Sequence, residues 1–259
     1  MAAVISGDTS IGSIAGRATA HATWVRVSHW VLAASVLTLF FSGFEILMVH
    51  PRLYWGKAGN DLTPALIELP ISRNYHHGGW TPPVTFVAGA HPIVSAARTY
   101  DIFNQNSWGR SLHFLAAWFL VITGLIYLLV GLASGHLWRH LLPRLRDLAP
   151  RRLSQDVRAH LHLPFAKTRG GPPYGVLQKL SYAAVILIAL PLMVVTGLAM
   201  SPAITAAHPW LLDLFGGSQS ARTIHFFVFA LLLLFLIVHL VMVALSGFRR
   251  QMRAMTIGG

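Results

Sequence analysis

From Ala221 to Phe248 the chain runs as roughly twenty apolar residues between Arg222 and the pair Arg249-Arg250. At about 1.5 Å per residue, a helix of that length crosses the hydrocarbon core of a bilayer. The stretch holds two histidines, His225 near one end and His239 near the other. At about 100° per residue their rings fall within roughly 40° of one face, about 21 Å apart in depth. An ionisable ring in lipid is costly, so such rings turn inward toward a partner. Two on one stripe, one near each leaflet, imply two stacked cofactors that share this helix as a wall.

Composition agrees with a membrane class. The chain of 259 residues is 54% hydrophobic and 11% charged, with a mean hydropathy of +0.58, too apolar for a soluble domain of this size. Cysteine is absent, which excludes disulfides, thiolate-held iron–sulfur clusters and covalent c-type haem attachment. Four segments are long and apolar enough to span: about 27–48, 112–132, 180–200 and 224–245. The expected fold class is therefore all-α, an integral membrane four-helix bundle forming one domain over 1–259. The first span lacks a small-residue cleavage site in the expected place and reads as retained. A shorter run at 84–97, broken by Pro92, reads as interfacial.

Of the twenty Lys and Arg residues, fourteen lie in the N-tail, the 135–179 connection and the C-tail, and six on the opposite side. The positive-inside rule then gives an N-in/C-in chain in a bacterial inner membrane, with a basic cytoplasmic loop and a large periplasmic one. The formal charge of +12 reads as topogenic, a surface for membrane lipid and not for nucleic acid.

The chain also repeats itself. Arg110-Ser111-Leu112-His113-Phe114 opens span two and Arg222-Thr223-Ile224-His225-Phe226 opens span four; both close with Ser-Gly, at Ser134-Gly135 and Ser246-Gly247. Spans one and three align through Arg26-Val27-Ser28-His29 and Lys179-Leu180-Ser181-Tyr182. They align again through Ser42-Gly43 and Thr196-Gly197, after one inserted residue. Pro191 lies in that interval, and a kink or bulge there would absorb the extra residue. The repeat places Tyr127 opposite His239, and Tyr182 opposite His29.

Depth sorts the histidines into an inner pair, His29 with His239, and an outer pair, His113 with His225. Axial ligation of a b-type haem needs two facing neutral imidazoles from separate helices, and this arrangement supplies that twice. Zinc or copper would call for clustered ligands with Cys, Met or carboxylate nearby. Gly43 and Gly124 let a flat macrocycle approach a helix backbone, or serve ordinary close packing. Arg110 and Arg222, each one turn before an outer histidine, suit haem propionates or lipid headgroups. Arg26, one turn before His29, joins the same cofactor-binding set. Glu45 is an acid in an odd place, either paired with one of the arginines or at the interface.

This pattern resembles the four-helix di-haem cytochrome b subunits of the b561, formate dehydrogenase, nickel–iron hydrogenase and thiosulfate reductase types. The motifs beginning at Arg73 and Trp210 look most like the thiosulfate-reductase branch. The resemblance implies two haem b groups and a periplasmic, molybdopterin-dependent redox partner that exchanges electrons with the outer haem. It also implies a quinone, ubiquinone or menaquinone, that meets the inner haem beside His239. Formate dehydrogenase relatives use Asn and Gln at the start of span three; here Gln178 and Lys179 match, whereas Gly175 stands where Asn is expected. From the residues alone, Gln178, Lys179, Tyr182 and Tyr127 are polar groups near the inner pair, suited to quinone carbonyls or to interfacial anchoring.

The 49–109 connection is rich in aromatics and reads as a cap over the outer site and a docking surface; its histidines, His76, His77 and His91, read as loop surface. Leucines in the 135–175 loop are spaced for an amphipathic helix on the inner leaflet. The expected function is electron transfer between a periplasmic oxidoreductase and the quinone pool, as a subunit of a membrane oxidoreductase complex. One alternative is a self-sufficient b561-type oxidase of superoxide or another small periplasmic donor, which the large outer loop disfavours. A histidine-using transporter would require acidic residues inside the spans.

Overall fold

The computed structural model describes residues 22–60, 63–71, 106–143, 148–151, 153–154 and 176–258. The amino-terminal tail, the 72–105 stretch with its three histidines and proposed interfacial run, and most of the central basic loop lie outside the described residues. The long helices are α1 (Thr23–Val49), α2 (Asn106–Ala133), α3 (Val176–Ala199) and, after short helices α4 (Pro202–Ala207) and α5 (Trp210–Phe215), α6 (Ser218–Leu245). A final helix, α7, spans Phe248–Thr256. The four long helices are each apolar enough to cross a membrane. Rings and branched chains such as Trp118 (65% exposed) and Leu234 (58%) point outward, as lipid-facing positions should.

Both α2 and α6 begin about six residues before the apolar windows that announce them. Their first turns are polar and invisible to hydropathy, yet in α6 the helical geometry is supported. The Gly56 carbonyl accepts hydrogen bonds from the backbone N–H groups of Gln219 and Ser220 (3.1 and 3.3 Å), two of the orphan donors every helix start must satisfy.

Packing is closest within two antiparallel hairpins, α1 on α2 and α3 on α6. The inserted residue of the repeat appears as a π turn at Val185–Ala189, where the Leu190 N–H reaches the Val185 carbonyl. Pro191 follows directly; it has no N–H to give and its ring crowds the preceding turn, so a wide turn is the low-strain way through. Glycines with positive φ close corresponding helices, Gly135 after α2 (φ 69°) and Gly247 after α6 (φ 105°).

Residues 50–60 form a strap across the outer end, with "outer" and "inner" following the charge count. Two short antiparallel strands, β1 (Arg52–Leu53) and β2 (Ile67–Glu68), brace it. Gly56 N–H donates to Ser220 Oγ (2.7 Å) and Thr223 Oγ1 donates to the Tyr54 carbonyl (2.6 Å). Arg222 donates to the His50 carbonyl (2.6 Å). At the inner end α7 folds back under α1: Trp30 Nε1 donates to the Met255 carbonyl (2.9 Å) and Arg26 to the Thr256 carbonyl (3.0 Å).

Candidate functional site

The imidazoles meet in the two pairs ordered by depth. His113 of α2 and His225 of α6 have ring centres 6.4 Å apart, with planes at 56°. His29 of α1 and His239 of α6 are 6.5 Å apart, at 49°. A metal–imidazole bond is about 2 Å and the ligating nitrogen lies roughly 1.1 Å from its ring centre, so two rings on opposite sides of one metal stand about 6.3 Å apart. Both separations leave room for one iron between the two rings of a pair, as bis-histidine ligation of a haem would need.

The outer pair shows how the chain prepares its rings. Ser42 Oγ lies 3.0 Å from His113 Nδ1, and Thr196 Oγ1 lies 2.9 Å from His225 Nδ1. Each hydroxyl spends its only proton on its own helix: Ser42 donates to the Thr38 carbonyl (2.8 Å) and Thr196 to the Leu192 carbonyl (2.7 Å). With its proton used there, the oxygen is free to accept from the ring, an arrangement that favours the tautomer with the proton on Nδ1 and the Nε2 lone pair left for a metal. Ser42 and Thr196 are both fully buried. They occupy corresponding positions of the repeat, thirteen residues after His29 and fourteen after Tyr182. The π turn compensates for that one-residue difference: on an unbroken helix it would swing Thr196 by about 100°.

Gly43 lies against the other member of its pair of hairpin helices. A Cβ there would sit 3.5 Å from His113 Cε1, and one at Gly197 would sit 3.7 Å from His225 Cε1. Both are ordinary contact distances, so the two glycines lie directly beside the outer imidazoles, where a methyl group would still fit. Gly124 faces open space, with nothing within 4 Å of a would-be Cβ.

The inner pair has aromatic company. Trp30 meets His29 edge-on at 5.3 Å. Phe235, one turn before His239, stacks on it at 6.0 Å, and Tyr182 meets it edge-on at 6.2 Å. Gln178 donates to the Tyr182 hydroxyl (2.9 Å), so two of the four residues assigned to quinone form one polar group beside His239. Lys179 sits half-buried in the first turn of α3. Tyr127 instead joins Trp24 (5.5 Å) and His136 (6.4 Å).

The arginines occupy more specific places than the spacing conveyed. Arg222 holds the outer strap, Arg26 holds α7, and Arg110 lies over the Phe114 ring at 5.9 Å. Glu45 is 1% exposed and packs beside Gly109. The ring-holding hydroxyls of Ser42 and Thr196, and the aromatic setting from Phe235 and Trp30, went unassigned in the sequence. For the first two the signal existed, since Ser/Thr-Gly recurs in both repeat copies.

A family model described as prokaryotic cytochrome b561 matches residues 20–258. A relative from Azospira oryzae, named a putative protein-methionine-sulfoxide reductase subunit YedZ1, is 28% identical over 233 residues, covering 87% of this chain and 90% of the relative. No solved structure matches the chain. With four spans and a match along nearly its whole length, the chain belongs to the prokaryotic cytochrome b561 family: a membrane electron-transfer subunit that binds haem b in the bacterial inner membrane.

Proposed function

We propose that the chain holds two haem b groups, one between His113 and His225 and one between His29 and His239, and passes electrons between the quinone pool and a periplasmic redox subunit. The observation that carries this is the pair of ring separations, 6.4 and 6.5 Å, built from three helices at two depths. Bound haem supplies one-electron chemistry at each level, with its potential set by axial ligands and their hydrogen bonds.

The residues of the chain divide the remaining work. Ser42 and Thr196 hold the outer rings in the ligating tautomer. Gln178 and Tyr182 offer a hydrogen-bonding pair to a quinone head beside His239, where the Tyr182 hydroxyl is placed to take up or release a proton. Arg222 ties the strap to the first turns of α6, near His225, and shields that end from water. Arg110, exposed near His113, remains available to a propionate or a headgroup.

The name of the Azospira relative supports a reductase as that partner. A methionine-sulfoxide-reducing partner, molybdopterin-dependent in our reading, consumes two electrons and two protons to release methionine and water. Oxidation of one quinol to quinone at the inner site releases the same number of each. Electrons would then run from the cytoplasmic to the periplasmic side.

The test is purification of the chain with its native partner, followed by pyridine haemochrome analysis, redox titration and addition of quinol. Two haems per chain, two one-electron steps and haem reduction by quinol are the expected results. Well-folded protein with no haem would end the reading.

A further inference from the structure

The two hairpins do not pack alike. The helices of the first, α1 on α2, pack more closely than those of the second, α3 on α6, which carries the π turn. There a groove of about 260 Å³ runs between α3 and α6, lined by Ser181, Ala184, Ile188, Leu192, Leu231 and Phe235 among others, with no polar lining surface. From Ser181 to Leu192 it extends over eleven residues, about 16 Å along the helix. At its inner end it starts next to Tyr182, and Phe235 in its wall is the ring that stacks on His239.

The two copies hold their outer rings by different helix geometry. The first hairpin presents Ser42 to His113 on an unbroken helix, whereas the second presents Thr196 to His225 across a π turn. The inserted residue is thus a feature of one copy only. It widens α3 beside the groove, and π turns of this kind gather at functional sites.

We infer that this groove holds the isoprenoid tail of the quinone whose head binds at Gln178 and Tyr182. The inference rests on the quinone reading above and extends it, since it gives that molecule an entry path and a binding energy remote from the reacting head. The occupant must be polar at one end, to meet Gln178 and Tyr182 beside His239. It must be a long branched apolar chain at the other, to follow a groove without polar atoms from that point toward the middle of the bilayer. A phospholipid tail is the competing occupant of such a groove, and what sets the quinone apart is the Gln178–Tyr182 pair beside His239 at the groove's inner end.

The experiment uses haem-loaded protein with two quinols sharing one head group, one with a short tail and one with several isoprene units. Ala184→Phe and Leu231→Phe fill the groove from its two walls, and both replace exposed residues. The readout is the ratio of haem reduction rates, long tail over short, at sub-saturating quinol. That ratio should fall about tenfold in each variant, as expected for displacing a few methylenes from an apolar site. A ratio equal to that of the unaltered chain in both variants, with haem spectra intact, overturns the inference. Equal losses for both quinols also overturn it, since the substitutions would then act on the head. If neither quinol reduces the haem of the unaltered chain, the quinone reading itself fails. Crosslinking to α3 by a tail-labelled photoreactive phospholipid that long-tailed quinol does not compete away would assign the groove to lipid instead.

Discussion

The outer and inner ring pairs are built on the same scaffold by different logic. His113 and His225 are corresponding residues of the two repeat copies, as are Ser42 and Thr196, which hold them. A site of this kind lies on the relation between the copies, so duplicating one hairpin creates it at once. His29 and His239 are not corresponding residues. Their repeat counterparts are Tyr182 and Tyr127, and here the copies have diverged: one pair is imidazoles, the other phenols. The symmetric site has like surroundings on both sides, a buried hydroxyl against each ring. The asymmetric one has a phenol and an amide on one flank, joined at 2.9 Å, the two groups that the proposed quinone site uses.

The largest effect that could break this comparison comes from the ligands. Replacing His225 with Ala should remove the outer haem and leave one haem per chain, and replacing His29 with Leu should do the same at the inner level. Haem-to-protein ratio and a redox titration with one step missing would record it. Loss of both haems from either single substitution, in folded protein, would mean that the pairs are not independent sites.

A smaller effect separates the chemistry of the two ends. Tyr182→Phe should slow quinol-driven haem reduction by about a hundredfold, the low end of what a positioned proton-transfer group contributes, while both haem spectra persist. Tyr127→Phe, in the aromatic group with Trp24 and His136, should change that rate far less. Equal losses in stopped-flow reduction would show that the two phenols share a role and that the asymmetry is cosmetic.

The smallest effects should fall on the hydroxyls. Ser42→Ala or Thr196→Val removes a ring hydrogen bond worth about 0.5–1.5 kcal/mol, and the ring becomes a weaker donor to iron. The outer potential should rise by a few tens of millivolts, at about 59 mV per tenfold for one electron, with the inner potential unmoved. Thr196→Ser should restore it. A shift confined to the inner couple would reverse the assignment of hydroxyls to levels.

Much of this molecule was legible in the sequence because the bilayer allows so few answers. Four apolar runs must be helices, since only a helix satisfies its own backbone in lipid. Histidines in such helices must face inward, and counting residues orders them by depth. Even the π turn was foreshadowed by one surplus residue beside Pro191. Hydropathy could not see the polar first turns of α2 and α6, the short outer helices or the docking of α7. These depend on contacts between segments distant in sequence: Gly56 against Ser220, Trp30 against Met255, Arg26 against Thr256. Nor could spacing decide that Arg222 would hold a strap, that Tyr127 would turn toward His136, or which nitrogen of His225 would carry its proton. Periodicity fixes the face a side chain shares with its neighbours on one helix. The partner it meets across the gap is a property of how the helices pack, and that was decided only in the tertiary structure.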